Sequence, residues 1–193
     1  EFNQTEGVIT AQLRIQNLLE EEQEYRLMIT LKCEDEEIRY YTRIIRAENC
    51  RVDDTIQFAL NFHEKTFDLA EAAQLALYLE PNAEGDNSTL QKVTIHSSLN
   101  QIAWGSFEGT VLKDPVPSLW EISSSYNTVK LNYVMASNGE NGEQEFYNVE
   151  EYYRVRYSAV NDRMYLLDYE RTMNEIFRGS GPHMSENAIL LGI

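Results

Sequence analysis

The sequence predicts an α+β protein with antiparallel sheets, a helical pair packed on an N-terminal sheet, and a C-terminal half that is mostly β. Two observations predict this class. Alternating apolar and polar residues occur in blocks before residue 46 and after residue 91, whereas helical spacing is confined to residues 54–80. Separate blocks of strands and helices are typical of α+β folds, whereas a doubly wound nucleotide-binding fold needs them in alternation.

The N-terminal block is predicted to be an antiparallel three-stranded meander. Residues 8–19, 25–33 and 38–44 each alternate between apolar and polar side chains, as strands with one buried face do. Short acidic runs separate the three segments and supply solvated turns. Because short connections join neighbouring antiparallel strands, we expect these strands to lie side by side over residues 8–46.

Two helices are predicted next, over residues 54–65 and 69–80, because apolar residues recur there at helical spacing. Asp53 and Asp54 are candidate N-caps of the first helix. Asp68 is the candidate N-cap of the second.

The remaining chain is predicted to be mostly β, with a domain boundary at Pro115 and Pro117. Residues 99–107 fit either a strand or a helical turn. The predicted domains are residues 1–114 with the meander and both helices, residues 118–178 as a β-rich hairpin subdomain, and residues 179–193 as a linker with a terminal strand. Predicted elements of this half are strands at 92–97, 129–135, 145–160 and 163–171, and a short helix at 172–177.

The charge of the chain restricts its partners. Thirty-two acidic residues against 16 basic ones give a formal net charge of -16 at pH 7. This field repels phosphate backbones and anionic membrane surfaces, so nucleic acid is not expected as a partner. No signal peptide and no apolar stretch long enough to span a membrane is present in the sequence. Because the chain begins Glu1-Phe2-Asn3 without Met, we expect a processed or engineered start, which leaves room for an anchor upstream.

The sequence offers little chemistry. Motifs of nucleotide, serine-hydrolase and zinc-protease sites are absent, and His63, His96 and His183 lack the spacing of metal ligands. His63 lies on the apolar stripe of the first predicted helix, where a packed histidine is expected. The two cysteines, Cys33 and Cys50, are compatible with one disulfide and equally with two free thiols. The sequence therefore predicts a non-enzymatic protein without catalytic residues, metal or cofactor.

The most unusual feature is a cluster of aromatic residues on the predicted C-terminal strands. Alternation places Tyr153 and Tyr157 on one face, and Tyr152, Arg154 and Arg156 on the other. These five are the candidate binding residues. A two-sided sheet is the favoured interpretation and a ligand-stacking platform the alternative, with the arginines expected to pair with cross-strand Glu. The cluster consists of Phe146, Tyr147, Tyr152, Tyr153, Tyr157, Tyr165 and Tyr169.

Residues 95–107, 146–157 and 163–177 resemble uncharacterised extracytoplasmic proteins of clostridial, Gram-positive bacteria. In those proteins an N-terminal membrane anchor precedes a domain of this kind, and a propeller-like β domain follows. At the level of fold, the chain is also similar to cystatin-like extracellular regulators of cell-wall histidine kinases. The resemblance spans most of residues 7–193 and implies a membrane-anchored protein of the cell envelope. It carries over no active-site residue.

The C-terminal end is predicted to be an ordered strand. The stretch from Ala188 to Ile193 is as apolar as a buried strand, so we expect it to pair with a sheet edge, in this chain or a neighbouring one. Residues 179–184, with the sequence GSGPHM, are either a native boundary or an introduced linker. Both interpretations imply a full protein larger than this chain.

These observations favour a non-enzymatic protein-interaction or sensing module of a membrane-anchored envelope protein, whose partner is another protein or the adjacent domain. The alternative is a small-ligand or glycan-binding domain that uses the Tyr-rich sheet. A hydrolase with unrecognised carboxylates is a third hypothesis, which two buried carboxylates facing each other in a cleft would favour.

Overall fold

The chain is α+β with antiparallel sheets and a mostly β C-terminal half, as predicted. It divides into two compact units, Glu1–Glu48 and Asn49–Ile193. A computed structural model describes residues 2–5, 8–12, 14–15, 19–33, 36–48, 50–139, 142–176, 184–185 and 188–189.

The first unit contains two antiparallel hairpins. Strand β1 (Phe2–Thr5) pairs with β2 (Val8–Ala11), and β3 (Glu24–Cys33) pairs with β4 (Glu36–Ile45). The predicted meander is therefore wrong, because β2 pairs with β1 and not with β3. Closing a short connection costs less entropy than closing the longer segment between β2 and β3, which favours the nearer partner.

The second unit is built on a five-stranded antiparallel sheet with the strand order β5-β9-β8-β7-β6. The strands predicted at 129–135, 145–160 and 163–171 are confirmed, and the strand predicted at 92–97 is confirmed as far as Thr94. The strand over residues 109–122 was not predicted. The strands are β5 (Lys92–Thr94), β6 (Gly109–Ile122), β7 (Asn127–Asn138), β8 (Gln144–Ser158) and β9 (Arg163–Glu175).

The predicted domain boundary at Pro115 and Pro117 is wrong, because both prolines lie inside β6. Strand β6 is an edge strand of the sheet. Proline is tolerated there because an edge position does not need every backbone N–H for pairing. The register of β6 against β7 shifts three times along this edge.

The predicted helix at residues 172–177 is also wrong over its described part, because β9 continues to Glu175. Met173 is buried and lies opposite Val149 of β8. This pairing fixes an extended backbone in a segment whose local sequence also fits a helix.

The two predicted helices are present as α1 (Val52–Lys65) and α2 (Leu69–Ala72), the latter continuing into a 3-10 helix (Ala73–Tyr78). A third helix, α3 (Leu99–Ile102), settles the ambiguous segment in favour of a helical turn.

The helix caps differ from the prediction in one case. Arg51 is the N-cap of α1, in a left-handed conformation and without a side-chain cap, so Asp53 and Asp54 lie inside the first turn. The Asp68 side chain caps α2 as predicted, since it accepts hydrogen bonds from the backbone N–H groups of Ala70 and Glu71.

The helices pack on the five-stranded sheet, which corrects the predicted packing on the N-terminal sheet. Ala59 and Phe62 of α1 share a core with Val129 and Leu131 of β7 and Tyr153 of β8. Five strands offer far more apolar area to a helix than a two-stranded hairpin does. We call the helix-covered side of this sheet the inner face and the opposite side the outer face.

The remaining sequence predictions concern the two cysteines and the terminal strand. Cys33 and Cys50 are free thiols. Strand β11 (Ala188–Ile189) forms within its described part, but it pairs with β10 (Met184–Ser185) in a separate two-stranded hairpin and not with the edge of a larger sheet. Residues 190–193 of the predicted strand lie outside the described residues. Within the described chain, no helix has the length and apolar content needed to cross a membrane.

Candidate functional site

A carboxylate lies at the centre of the inner face. Glu151 of β8 is fully buried, at a position where the alternation of Val149 and Tyr153 calls for an apolar side chain. Its direct neighbours across the sheet are Leu131 of β7 and Arg171 of β9. A buried charge at such a position is stable only with hydrogen-bonding partners.

Three side chains supply these partners. Nδ1 of His63, on α1, lies 3.2 Å from Oε1 and 3.1 Å from Oε2 of Glu151. The hydroxyl of Tyr133 donates to Oε1 at 2.7 Å, and that of Tyr153 donates to Oε2 at 2.5 Å. A carboxylate only accepts hydrogen bonds, so Nδ1 of His63 carries a hydrogen. The contact therefore ties α1 to the sheet.

Arg171 is the buried cation beside this carboxylate. Its Nη1 donates to the carbonyl of Ile102 at 2.9 Å, and its Nη2 donates to that of Gln101 at 2.7 Å. The guanidinium carbon lies 3.5 Å from the ring centroid of Trp104, whose Nε1 donates to Thr66 Oγ1. Arg171 thus binds the backbone of α3 and stacks on an aromatic face, a geometry that lysine cannot reproduce.

Burial and hydrogen bonding set the protonation of these groups. Burial alone would raise the pKa of Glu151, but the hydrogen bond and charge of His63, together with Arg171 and Tyr153, outweigh it and lower the pKa. Burial is the main cause that raises the pKa of the hydroxyls of Tyr133, Tyr153 and Tyr169, and the charge of Glu151 adds to it. All three hydroxyls therefore stay protonated, and those of Tyr133 and Tyr153 remain donors to an ionised Glu151.

A carboxylate–histidine pair is the usual equipment of a general base. Here the side chains of His63 and Glu151 are 5% and 0% exposed. A substrate could reach them only if α1 left the sheet. We therefore assign the cluster to holding α1 in place. The expected packed state of His63 is confirmed, whereas Glu151 was missed. The break that Glu151 makes in the apolar alternation was the signal.

The five candidate binding residues do not share a face. Tyr153 is fully buried on the inner face, and half-buried Tyr157 donates to Asp162 Oδ1 at 2.6 Å. By strand alternation, Tyr152, Arg154 and Arg156 belong to the outer face, as predicted. The structure therefore divides the set between a core and a surface.

The predicted pairing of the two arginines with cross-strand Glu is wrong. The register places Asp168 opposite Arg154 and Tyr165 opposite Arg156. The Arg154 guanidinium lies 3.9 Å from the ring centroid of Tyr126, and that of Arg156 lies 5.8 Å from the ring of Tyr165. Neither arginine forms an ion pair with a carboxylate of the described residues. Stacking on tyrosine has taken the place of charge pairing.

The aromatic cluster is likewise divided by the sheet. Tyr153 and Tyr169 lie in the core, and Tyr147 packs against a second core cluster with Trp104. Tyr152 alternates onto the outer face. The seven aromatic residues are thus distributed over both sides of a two-sided sheet and do not form one stacking platform.

The outer face carries an open groove of about 500 Å³. Polar side chains from β6, β7, β8 and β9 line it, and none of its asparagines was identified from sequence. Their outward positions in three successive strands were the available signal. The polar lining consists of Lys113, Asn132, Asn148, Glu150, Thr172 and Asn174.

No three His, Cys, Asp or Glu side chains in the described part of the chain lie close enough together to hold a metal ion. Comparison with protein-family models, with curated proteins and with solved structures found no match to this chain.

Proposed function

We propose that the chain is a non-enzymatic protein-interaction module of an extracytoplasmic, membrane-anchored envelope protein, and that the β3–β4 hairpin is its partner-binding surface. One observation carries the proposal. One face of the hairpin presents apolar side chains interrupted only by Thr42, and several of them are about half exposed.

The register of the hairpin creates this face. Leu31 lies opposite Ile38, and Ile29 lies opposite Tyr40, so their side chains share one face. Leu31, Ile38 and Tyr40 are 51%, 46% and 54% exposed. We call this side the apolar face; it also includes Tyr25, Leu27 and Ile44.

The opposite side of the hairpin, which we call the charged side, carries ion pairs around one apolar pair, Met28 and Tyr41. Arg43 pairs with Glu24 at 3.0 Å, and Arg39 pairs with Glu37 at 2.9 Å. Exposed pairs of this kind contribute only about 0–1 kcal/mol each. They suit a face that remains in water, so the binding face of the hairpin is the apolar one.

Covering the apolar face would be strongly favourable. Fully burying a large aliphatic or aromatic side chain contributes about 1.5–3 kcal/mol. A two-stranded hairpin is only marginally stable alone. A protein partner that seats on Leu31, Ile38 and Tyr40 would stabilise the hairpin as it binds.

Two further points support the proposal. The buried pair of His63 and Glu151 is closed to substrates, which favours a non-enzymatic role. The envelope location rests on the sequence resemblance of residues 95–107, 146–157 and 163–177. Digestion of intact cells by an added protease tests the location: the domain should be cleaved without lysis, and protection until lysis would contradict it.

Two adjacent tyrosines test the binding surface. Tyr40 lies on the apolar face, whereas Tyr41 is 61% exposed opposite Met28 on the charged side. A photo-crosslinking phenylalanine analogue is placed at either position in the full-length protein, in the cells that make it. We expect one protein partner to be crosslinked at position 40 and not at position 41, with the crosslinked peptides identified by mass spectrometry.

Three outcomes would refute the proposed surface. They are equal crosslinking at both positions, no crosslink at position 40, and a crosslink from position 40 only to peptides of this chain. The Leu31→Lys variant should abolish the crosslink at position 40, because it places a charge on the apolar face.

A further inference from the structure

The asparagines of the outer face occupy unusual positions. Asn132, Asn148 and Asn174 lie inside β7, β8 and β9, and Asn148 is directly opposite Asn174. Asparagine is depleted in strands because its side chain competes with the backbone for hydrogen bonds. Three such residues on neighbouring central strands are not explained by strand stability.

The amides of these residues are also uncommitted. All three residues are exposed, and within the described part of the chain their side chains make no hydrogen bond. Each amide can donate two hydrogen bonds and accept at least one. The groove therefore presents a patch of neutral donors and acceptors held on a rigid sheet.

An aromatic ring lies at one end of this patch. Trp120 of β6 is 51% exposed, and Nζ of Lys130 lies 3.7 Å from its ring centroid. The same Nζ donates to Oε1 of Glu150, a groove residue, at 2.7 Å. Trp120 is thus connected to the groove through one side chain.

We propose that the groove of the outer face is a binding site for a neutral glycan. Hydroxyl groups of a sugar match amides that both donate and accept, and the apolar face of a sugar ring matches an exposed tryptophan. The volume of about 500 Å³ lies in the usual range of small-ligand sites, about 300–1,000 Å³.

Other ligand classes fit less well. The net charge of -16 and the carboxylate of Glu150 disfavour anions such as phosphate. The core of a protein interface is mostly apolar, whereas this groove combines one outward apolar side chain, Val134, with polar side chains from four strands. The site is independent of the β3–β4 hairpin, so either proposal can fail without the other.

The test uses the full chain and defined sugars. Chitotetraose, cellotetraose and maltotetraose serve as neutral probes, and a heparin oligosaccharide serves as the anionic control. Binding is measured by calorimetry and by NMR of the asparagine side-chain amides. We expect at least one neutral probe to bind at millimolar concentration or below and to shift the amide signals of Asn132, Asn148 and Asn174.

Variants locate the site. Asn148→Thr should weaken binding about tenfold, because it removes an amide that would make two hydrogen bonds to the sugar. Its thermal midpoint should be unchanged or raised, since threonine favours strands. Asn132→Thr is a second variant on the neighbouring strand. Asn100→Ala, at an exposed position of α3, is the matched control and should bind as the unmodified chain does.

Three results would overturn the proposal. They are no binding of any neutral probe, unchanged affinity in both threonine variants, and tighter binding of the heparin oligosaccharide than of every neutral probe.

Discussion

The two faces of the five-stranded sheet are formed by the same strands but differ in how their polar side chains are hydrogen-bonded and in whether solvent reaches them. On the inner face, Glu151 receives hydrogen bonds from His63, Tyr133 and Tyr153, and the whole cluster is closed to solvent. On the outer face, the amides of Asn132 and Asn148 have no partner among the described residues and face solvent.

Because of this difference, polar groups of the inner face contribute to stability, whereas those of the outer face are available for binding. A buried polar group must be satisfied by the protein itself, because an unpaired one costs about 1–3 kcal/mol or more. An exposed polar group is satisfied by water, and its hydrogen bonds can be exchanged for those of a ligand. Substitutions on the two faces should therefore have different consequences.

The largest effect should come from removing the helix-borne partner of Glu151. His63→Ala leaves a buried carboxylate with fewer donors and opens a cavity, so the free energy of unfolding should fall by about 3–5 kcal/mol. Urea denaturation measures the change. Asn174→Ala on the outer face is the control and should change stability by less than about 0.5 kcal/mol. A similar loss of unfolding free energy in both variants would contradict the proposed difference between the two faces.

A smaller effect should separate two adjacent tyrosines. Tyr153→Phe removes the hydroxyl that donates to Glu151 and should cost about 1.5–3 kcal/mol, the range for a hydrogen bond to a charged group. Tyr152→Phe alters the opposite face and should be close to neutral. Thermal and urea denaturation of the pair measure both. An equal loss of stability in the two variants would mean that the hydrogen bond from the buried hydroxyl to Glu151 does not contribute to stability.

The smallest effect should appear in the pH dependence of stability. The folded pKa of Glu151 is lowered, so its contribution is present above the unfolded pKa of about 4.3 and is lost as pH falls through the lower folded value. Wild type should therefore lose stability more steeply than Glu151→Gln below about pH 4.3. Each unit of pKa difference corresponds to about 1.4 kcal/mol.

Urea denaturation at a series of pH values measures this difference, and the other carboxylates cancel in the comparison. Parallel curves for the two proteins throughout the acidic range would show that Glu151 does not have a lowered pKa.

Alternation in the sequence predicted the inner face where the residues were apolar. Val129, Leu131, Tyr133 and Met135 were expected on one side of a strand, and all four are buried. Alternation could not predict Glu151. A carboxylate is tolerated at a buried position only when donors arrive from another strand and from a helix, and those contacts join residues far apart in the chain.

Sequence alone therefore determined the α+β class, the positions of α1 and of the three long strands β7, β8 and β9, and the surface character that goes with a net charge of -16. These properties follow from short-range periodicity and composition.

Only the tertiary structure decided which sheet the helices cover, that Pro115 lies in an edge strand, and that β9 extends over residues predicted as helix. It also decided that three distant asparagines meet on one face. The physical reason is common to all of these: pairing and burial depend on residues that are remote in sequence, and their free energies exceed the small local preferences that a sequence pattern records.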